Sequence, residues 1–208
     1  MAVHSEIAPP NTASKRQQRG RERVDTILDA AAALIAEDSL ASVTMHRVAE
    51  RSWATIGSMY HFFPNVTAVI EALAERIEQD VQTLLLAVDA SEIDWATLTT
   101  TAAVDAFLDP IIEYGDAHPA LFALLRAQLN SEARGLARID ALMLQLTGQI
   151  VGARRPQLTR AERLGCSAAI LGVIEGISRR AERVARSPKK TLLAEMKRVI
   201  VAYLDASR

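Results

Sequence analysis

A chain of 208 residues, half of them hydrophobic, has enough length and apolar content for one large domain or two small ones around a sizeable core, which excludes a disordered protein. Its formal net charge of -1 excludes nucleic-acid binding through bulk charge, so any such contact must come from local clustering. With 4% aromatic residues, abundant Ala and Leu and no long alternating Val/Ile/Thr run, strands have little to be made from, and an all-α fold is expected.

Residues 1–14 hold Pro9, Pro10, Asn11, Thr12 and Ser14 among few apolar groups, and are expected to form a flexible N-terminal arm. A basic cluster follows in Lys15, Arg16, Arg19, Arg21 and Arg23, with Glu22 the one opposing charge. It reads either as a solvated tail or as a local nucleic-acid contact. Over residues 21–38, Val24, Ile27, Leu28, Ala31, Leu34 and Ile35 recur at helical spacing on one face. Asp25 and Asp29 on the charged face would be repelled by phosphates, so only the basic N-terminal end of this helix should approach a duplex.

Residues 43–63 read VTMHRVAERSWATIGSMYHFF. Thr44 suits the N-cap of a short helix, with a hydrophobic staple between Val43 and Val48, and Val48 and Ala49 facing inward. A break over residues 52–55 follows, and Thr55 suits the cap of a second short helix carrying Ile56, Met59, Tyr60 and Phe63. Two short helices around a tight turn make a helix-turn-helix, which lays its second helix in the DNA major groove.

This stretch resembles the tetracycline-repressor (TetR) family of bacterial one-component regulators. The family pattern is a threonine opening the first short helix, a Gly-small-Leu-Tyr-x-x-Phe run in the second, and a polar residue beginning the next. Here those positions hold Thr44, then Gly57, Ser58, Met59, Tyr60, His61, Phe62 and Phe63, then Pro64 and Asn65. The resemblance is close over about the first third of the chain. It implies that Thr44 and the amides beside it bind a phosphate, that Tyr60 and His61 contact phosphates, and that Thr55, Ile56, Gly57 and Ser58 lie nearest the base edges. Lys15, Arg16 and Arg19 would reach toward the DNA from the basic segment. At Gly57 the missing side chain lets the helix lie deep in the groove. Two positions depart from the pattern: Trp53 stands where a glycine is common, and Val66 where a lysine is frequent. The second short helix also has no Lys or Arg before His61, so readout is expected through hydroxyls, thymine-methyl contact by Ile56 or Trp53, and DNA shape.

Pro64 should end the second short helix, and Asn65 should cap a long one over residues 66–88, lined by Val66, Val69, Ile70, Leu73, Ile77, Val81, Leu84, Leu85 and Val88. A rod of this length can connect two domains mechanically. Residues 89–94 read as a loop, with Asp94 capping a helix from Trp95, and the threonines at 97, 99, 100 and 101 favour a break near Thr100. Pro110 is expected to kink or end the following helix. His118 and Pro119 precede a helix with Leu121, Phe122, Leu124, Leu125 and Leu129, and Ser131 can start one with Leu136, Ile139, Leu142, Met143, Leu146 and Ile150 that ends near Gly152.

Thr159 and Glu162 match a capping box. The helix they open carries Ala161, Gly165, Ala168, Gly172 and Gly176 on one face, where a partner helix could approach closely. Ser187 and Pro188 suit the cap and first turn of a last helix striped by Leu192, Leu193, Met196, Val199, Ile200, Tyr203 and Leu204. Packing these two helices against their symmetry mates would give a four-helix homodimer interface, which the resemblance also implies; packing within the chain is the alternative.

The expected organisation is an arm over residues 1–14, a three-helix DNA-binding domain over 15–64 and a larger helical ligand-binding and dimerisation domain over 65–208, with about nine helices in all. The resemblance implies a small-molecule effector that lowers DNA affinity. Lining candidates for an apolar cavity are Phe107, Ile111, Tyr114, Phe122, Leu125, Met143, Cys166, Ile170 and Ile174, each of which, taken alone, fits a plain core position better. Glu175 could bind a polar group of the effector or pair with Arg179, and His118 could face the effector or sit in a loop.

An enzyme is disfavoured, since His4, His46, His61 and His118 lack metal-ligand spacing and no phosphate-cradling glycine loop is present. No metal or cofactor is expected. A lone Cys166, no signal peptide and no membrane-length apolar run lead to a cytoplasmic expectation. The rival to a repressor that binds an inverted repeat is a helical ligand-binding or protein-interaction module whose helix-turn-helix has degenerated.

Overall fold

The computed structural model describes residues 12–120, 124, 134–181, 184 and 186–206. They form eight α-helices and one short 3-10 turn, with no strand among them. The helices are α1 (Thr12–Glu37), α2 (Met45–Arg51), α3 (Ile56–Phe62), α4 (Val66–Ala90), α5 (Thr100–Ala117), α6 (Arg134–Arg154), α7 (Arg160–Ala181) and α8 (Arg186–Asp205). The chain divides into two compact units between Leu73 and Ala74, inside α4. No helix among the described residues is long and apolar enough to cross a membrane.

In the first unit α1 starts well ahead of the apolar period that begins near Val24. The added turns are polar helix formers, held in part by Gln18 Nε2 donating to Glu22 Oε1 at 3.0 Å. Ile27, Leu28, Ala31, Leu34 and Ile35 of α1 are buried, together with Val43, Val48, Ala49, Met59, Phe63, Val69 and Leu73. Ile27, Val48 and Met59 are fully enclosed, so truncating Ile27 or Met59 to Ala should cost about 2–5 kcal/mol. Asn65 Oδ1 accepts from the Ala68 amide at 2.9 Å and caps α4 as its sequence suggests. Ahead of it, Phe63 is extended before Pro64, which stops α3.

The second unit departs from the sequence reading at α5. Asp94 does not open a helix at Trp95; the amide and hydroxyl of Thr97 both donate to the Asp94 carbonyl and close a single turn. The helix instead begins at Thr100, where the Thr99 hydroxyl accepts from the Ala102 amide at 3.1 Å. It then runs through Pro110 unbroken to Ala117, and His118 caps it. Ser187 lies inside α8 and not at its cap.

Polar contacts set an antiparallel register between α5 and α8. Thr100 Oγ1 donates to Asp205 Oδ1 at 2.7 Å, Lys197 Nζ donates to Asp105 at 2.8 Å and also to Asp109, and Lys189 Nζ donates to Asp116 at 2.6 Å. The Thr159–Glu162 capping box forms reciprocally: Thr159 N–H donates to Glu162 Oε2 at 2.8 Å, and Glu162 N–H donates to Thr159 Oγ1 at 3.3 Å. Helices α6 and α7 approach closely at Gly152, where a Cβ would come within 2.9 Å of Arg163 Nη1.

Two consecutive arginines after Gly152 anchor this unit in ways their sequence context did not suggest. Arg154 donates to the carbonyls of Trp95 and Leu98 and so holds the loop before α5. Arg155 is buried, donates to the Tyr203 and Leu204 carbonyls at the C-terminal end of α8, and lies 4.8 Å from the centre of the Tyr203 ring. A cation there offsets the partial negative charge of the helix end.

Candidate nucleic-acid interface

The helix-turn-helix is built from both of its caps. Thr44 Oγ1 accepts from the Arg47 amide at 3.2 Å and Thr55 Oγ1 from the Ser58 amide at 3.2 Å, which starts α2 and α3. The staple pair Val43 and Val48 is buried beneath the first cap. Helix α2 ends in a Schellman motif: Ala54 N–H donates to Ala49 O at 2.9 Å and Trp53 N–H to Glu50 O at 3.3 Å. That motif needs a left-handed residue at the position after the cap, and Trp53 supplies it with φ 52°. This explains why glycine suits the position, and the turn keeps its geometry without one.

Helix α3 buries Met59 and exposes Ile56, Gly57, Tyr60 and His61 on one face, with its cap Thr55 exposed at the helix start, so five candidate DNA-reading residues are open. Ser58 is half-buried beside them. Tyr60 is 55% exposed and Ile56 36%, large side chains that the unit's own core does not use. A Cβ at Gly57 would meet nothing within 4 Å, so its smallness serves no packing need inside the chain. Thr44 is exposed at its cap, and Lys15, Arg16 and Arg19 are exposed on the first half of α1. The 100° advance per residue puts Lys15, Arg16, Arg19 and Arg23 on one side of that helix.

Two arginines of α2 have a different task. Arg47 pairs with Asp38 at 2.7 Å, and Arg51 forms a two-pronged pair with Glu37 with both contacts at 2.6 Å, joining α2 to the end of α1. Both pairs are half-exposed, so each contributes at most about 1 kcal/mol. Arg23, one of the basic run, donates its Nη2 to the Trp53 carbonyl at 3.2 Å and steadies the turn.

In the second unit, Phe107 and Ile170 are buried, and Ile111, Tyr114, Met143, Cys166 and Ile174 are half-buried. Glu175 is on an exposed face of α7 and pairs with Arg179 one turn on. Phe122 and Leu125 lie outside the described residues. His118 stacks on Tyr114, ring centres 4.0 Å apart, and its Nδ1 donates to the Tyr114 carbonyl at 2.9 Å.

Family sequence models match both units: "Bacterial regulatory proteins, tetR family" over residues 27–73 and "Tetracyclin repressor-like, C-terminal domain" over residues 100–204. The chain belongs to the TetR family. TetR family regulators are non-enzymatic DNA-binding transcription factors. The chain is 32% identical over 117 residues to the nucleoid occlusion factor SlmA of Actinobacillus pleuropneumoniae, a match covering 56% of this chain and 52% of that protein. The chain thus spans about half the length of the curated relatives it matches. A TetR-family transcriptional regulator from Streptomyces coelicolor shares the fold with a TM-score of 0.59 at 23% identity, over 89% of this chain and 99% of that one. The SmeT–triclosan complex does so with a TM-score of 0.55 at 19% identity, over 89% of each chain.

Proposed function

We propose that this TetR regulator is a repressor that binds an inverted-repeat operator as a homodimer and leaves it when a small apolar or amphipathic effector binds the second unit. The observation that carries the reading is the open face of α3, where Ile56, Gly57, Tyr60 and His61 are presented beside the exposed cap Thr55 and over a buried Met59. Thr44, Lys15, Arg16 and Arg19 supply phosphate contacts around it, and Thr55, Ile56, Gly57 and Ser58 face base edges. A two-fold dimer spaces two such faces by about one turn of duplex, roughly 34 Å or more, hence the inverted repeat.

The dimer forms through α7 and α8, whose exposed faces hold Leu164, Gly165, Ala168, Gly172, Val199 and Tyr203. The effector site draws on Phe107, Ile111, Tyr114, Met143, Ile170 and Ile174; that a solved structure of the same fold is a triclosan complex supports an effector of this kind. Release requires the effector to prefer the arrangement that does not bind DNA, and a coupling of about 1–3 kcal/mol would lower affinity roughly 5- to 150-fold. The regulator acts in the cytoplasm, where its DNA is.

The test is selection of duplexes from fragmented genomic DNA by the purified full-length protein at about physiological salt. An enriched inverted repeat, with binding weakened by Tyr60→Phe and by Arg19→Ala and falling steeply with salt, is the expected result. A folded dimer that enriches nothing would overturn it in favour of a ligand-binding or interaction module.

A further inference from the structure

We infer that Trp53 is a specificity-determining DNA contact, laying its indole against a thymine methyl in the major groove beside α3; this rests on the DNA-binding reading above. The side chain is 92% exposed, so intrachain packing does not account for an indole at this position. Its backbone is also held at φ 52°, a conformation that disfavours any residue with a Cβ. A glycine would satisfy the Schellman hydrogen bonds of the turn without that strain. The fold therefore bears a conformational cost for a large apolar group that it leaves in solvent.

The direction in which the side chain leaves the backbone is fixed. The Trp53 amide donates to Glu50 O, the Ala54 amide to Ala49 O, and Arg23 Nη2 donates to the Trp53 carbonyl, so the peptides on both sides of its Cα are fixed. The same Arg23 contact sets a guanidinium beside the turn, and with Lys15, Arg16 and Arg19 on its side of α1 the surroundings suit a polyanion and not an apolar protein face. Trp53 stands two residues before Thr55, the cap of the helix that enters the groove.

The chemistry left to this surface points to thymine. Helix α3 carries no Lys or Arg, so the two-pronged arginine contact to guanine is missing from the helix that enters the groove. Ile56 and Trp53 are the large exposed apolar groups on either side of Thr55. In the major groove the apolar mark that distinguishes one base pair from another is the thymine C5 methyl.

The experiment uses the full-length protein and the duplex it selects from genomic DNA, remade with uracil for thymine one position at a time, which removes only the methyl. Wild type should lose about 3- to 10-fold in affinity at one thymine of each half-site. Trp53→Gly should remain folded, melt no lower than wild type, bind the unmodified duplex about 10-fold more weakly and be indifferent to uracil at that position; Ile56→Ala should keep the sensitivity. Equal affinity of Trp53→Gly for the duplex, or the same uracil profile in both proteins, would overturn the inference. So would a selected half-site without thymine. If the wild type selects no duplex at all, the DNA-binding reading fails first, a result distinct from all of these.

Discussion

The hydroxyl of Tyr114 donates to Asp80 Oδ2 at 2.8 Å and ties α5 to the portion of α4 that belongs to the second unit. Burial pushes that hydroxyl's pKa well above its ordinary value, and the Asp80 hydrogen bond and charge add to the effect, so the phenol remains a donor throughout the working pH range. Tyr114→Phe keeps the stacking on His118 and removes only the bond. The expected cost is about 1 kcal/mol in denaturant unfolding, since the freed Asp80 is solvated. Because α4 begins in the DNA-reading unit, the same variant should shift the effector concentration that releases DNA; an unchanged release curve would remove Tyr114 from the proposed coupling.

Lys197 stands between Asp105 and Asp109, one turn apart on α5. Burial draws its ammonium down, but the hydrogen bonds to the two carboxylates outweigh this and hold it above the ordinary lysine value of 10.5. The stabilisation is complete below that value and is lost as pH rises through the higher folded one. Lys197→Met should cost about 1–2 kcal/mol near neutral pH and remove part of the alkaline loss of stability. An unchanged alkaline melting profile in the variant would show that the cluster contributes nothing.

The capping box makes a prediction at the acid end. Hydrogen bonds from the side chain and the backbone amide of Thr159 hold the Glu162 carboxyl below its ordinary 4.5. What the ionised box contributes is present above 4.5 and lost as pH falls through the lower folded value. The Thr159 amide resonance should therefore titrate with a midpoint below 4.5, and Glu162→Gln should abolish that titration while leaving α7 helical. A midpoint at or above 4.5 in the wild type would contradict the reciprocal geometry.

Where local chemistry decides structure, these features were legible in the sequence. The caps at Thr44, Thr55, Asn65 and Thr159 each announce a helix start through one side-chain oxygen, and the buried stripe of α1 follows from its 3.6-residue period. The threonine run marks the break near Thr100 where α5 begins, but Asp94 and Thr99 both have cap chemistry, and only the Ala102 bond to Thr99 Oγ1 shows which one opens a helix. Pro110 broke no helix because losing one amide donor is tolerable where the surrounding residues are packed, as Phe107 and Leu108 are. The long-range roles of Arg23, Arg47, Arg51, Arg154 and Arg155 had no local signal at all: the number of residues between Arg155 and Tyr203 carries no trace of their meeting. Glu175 shows the converse, since its Arg179 partner one turn on was visible in the spacing.

The glycines of α6 and α7 differ in what a Cβ would meet within the chain. A Cβ at Gly172 would meet nothing within 4 Å, whereas one at Gly152 would press on Arg163. Leu164, on α7 with Gly172 and 58% exposed, and Val199 on α8, 47% exposed, are left to solvent in a single chain. If α7 and α8 pair with their symmetry mates, Gly172→Leu should fold normally and weaken the dimer by on the order of 100-fold, about 2.7 kcal/mol, in sedimentation equilibrium. Gly152→Ala, whose Cβ would displace only the far end of the Arg163 side chain within the same chain, should leave dimer affinity unchanged. A Gly172→Leu protein that associates as the wild type does would place the dimer contact on another face, because the added side chain has no other reason to be tolerated there.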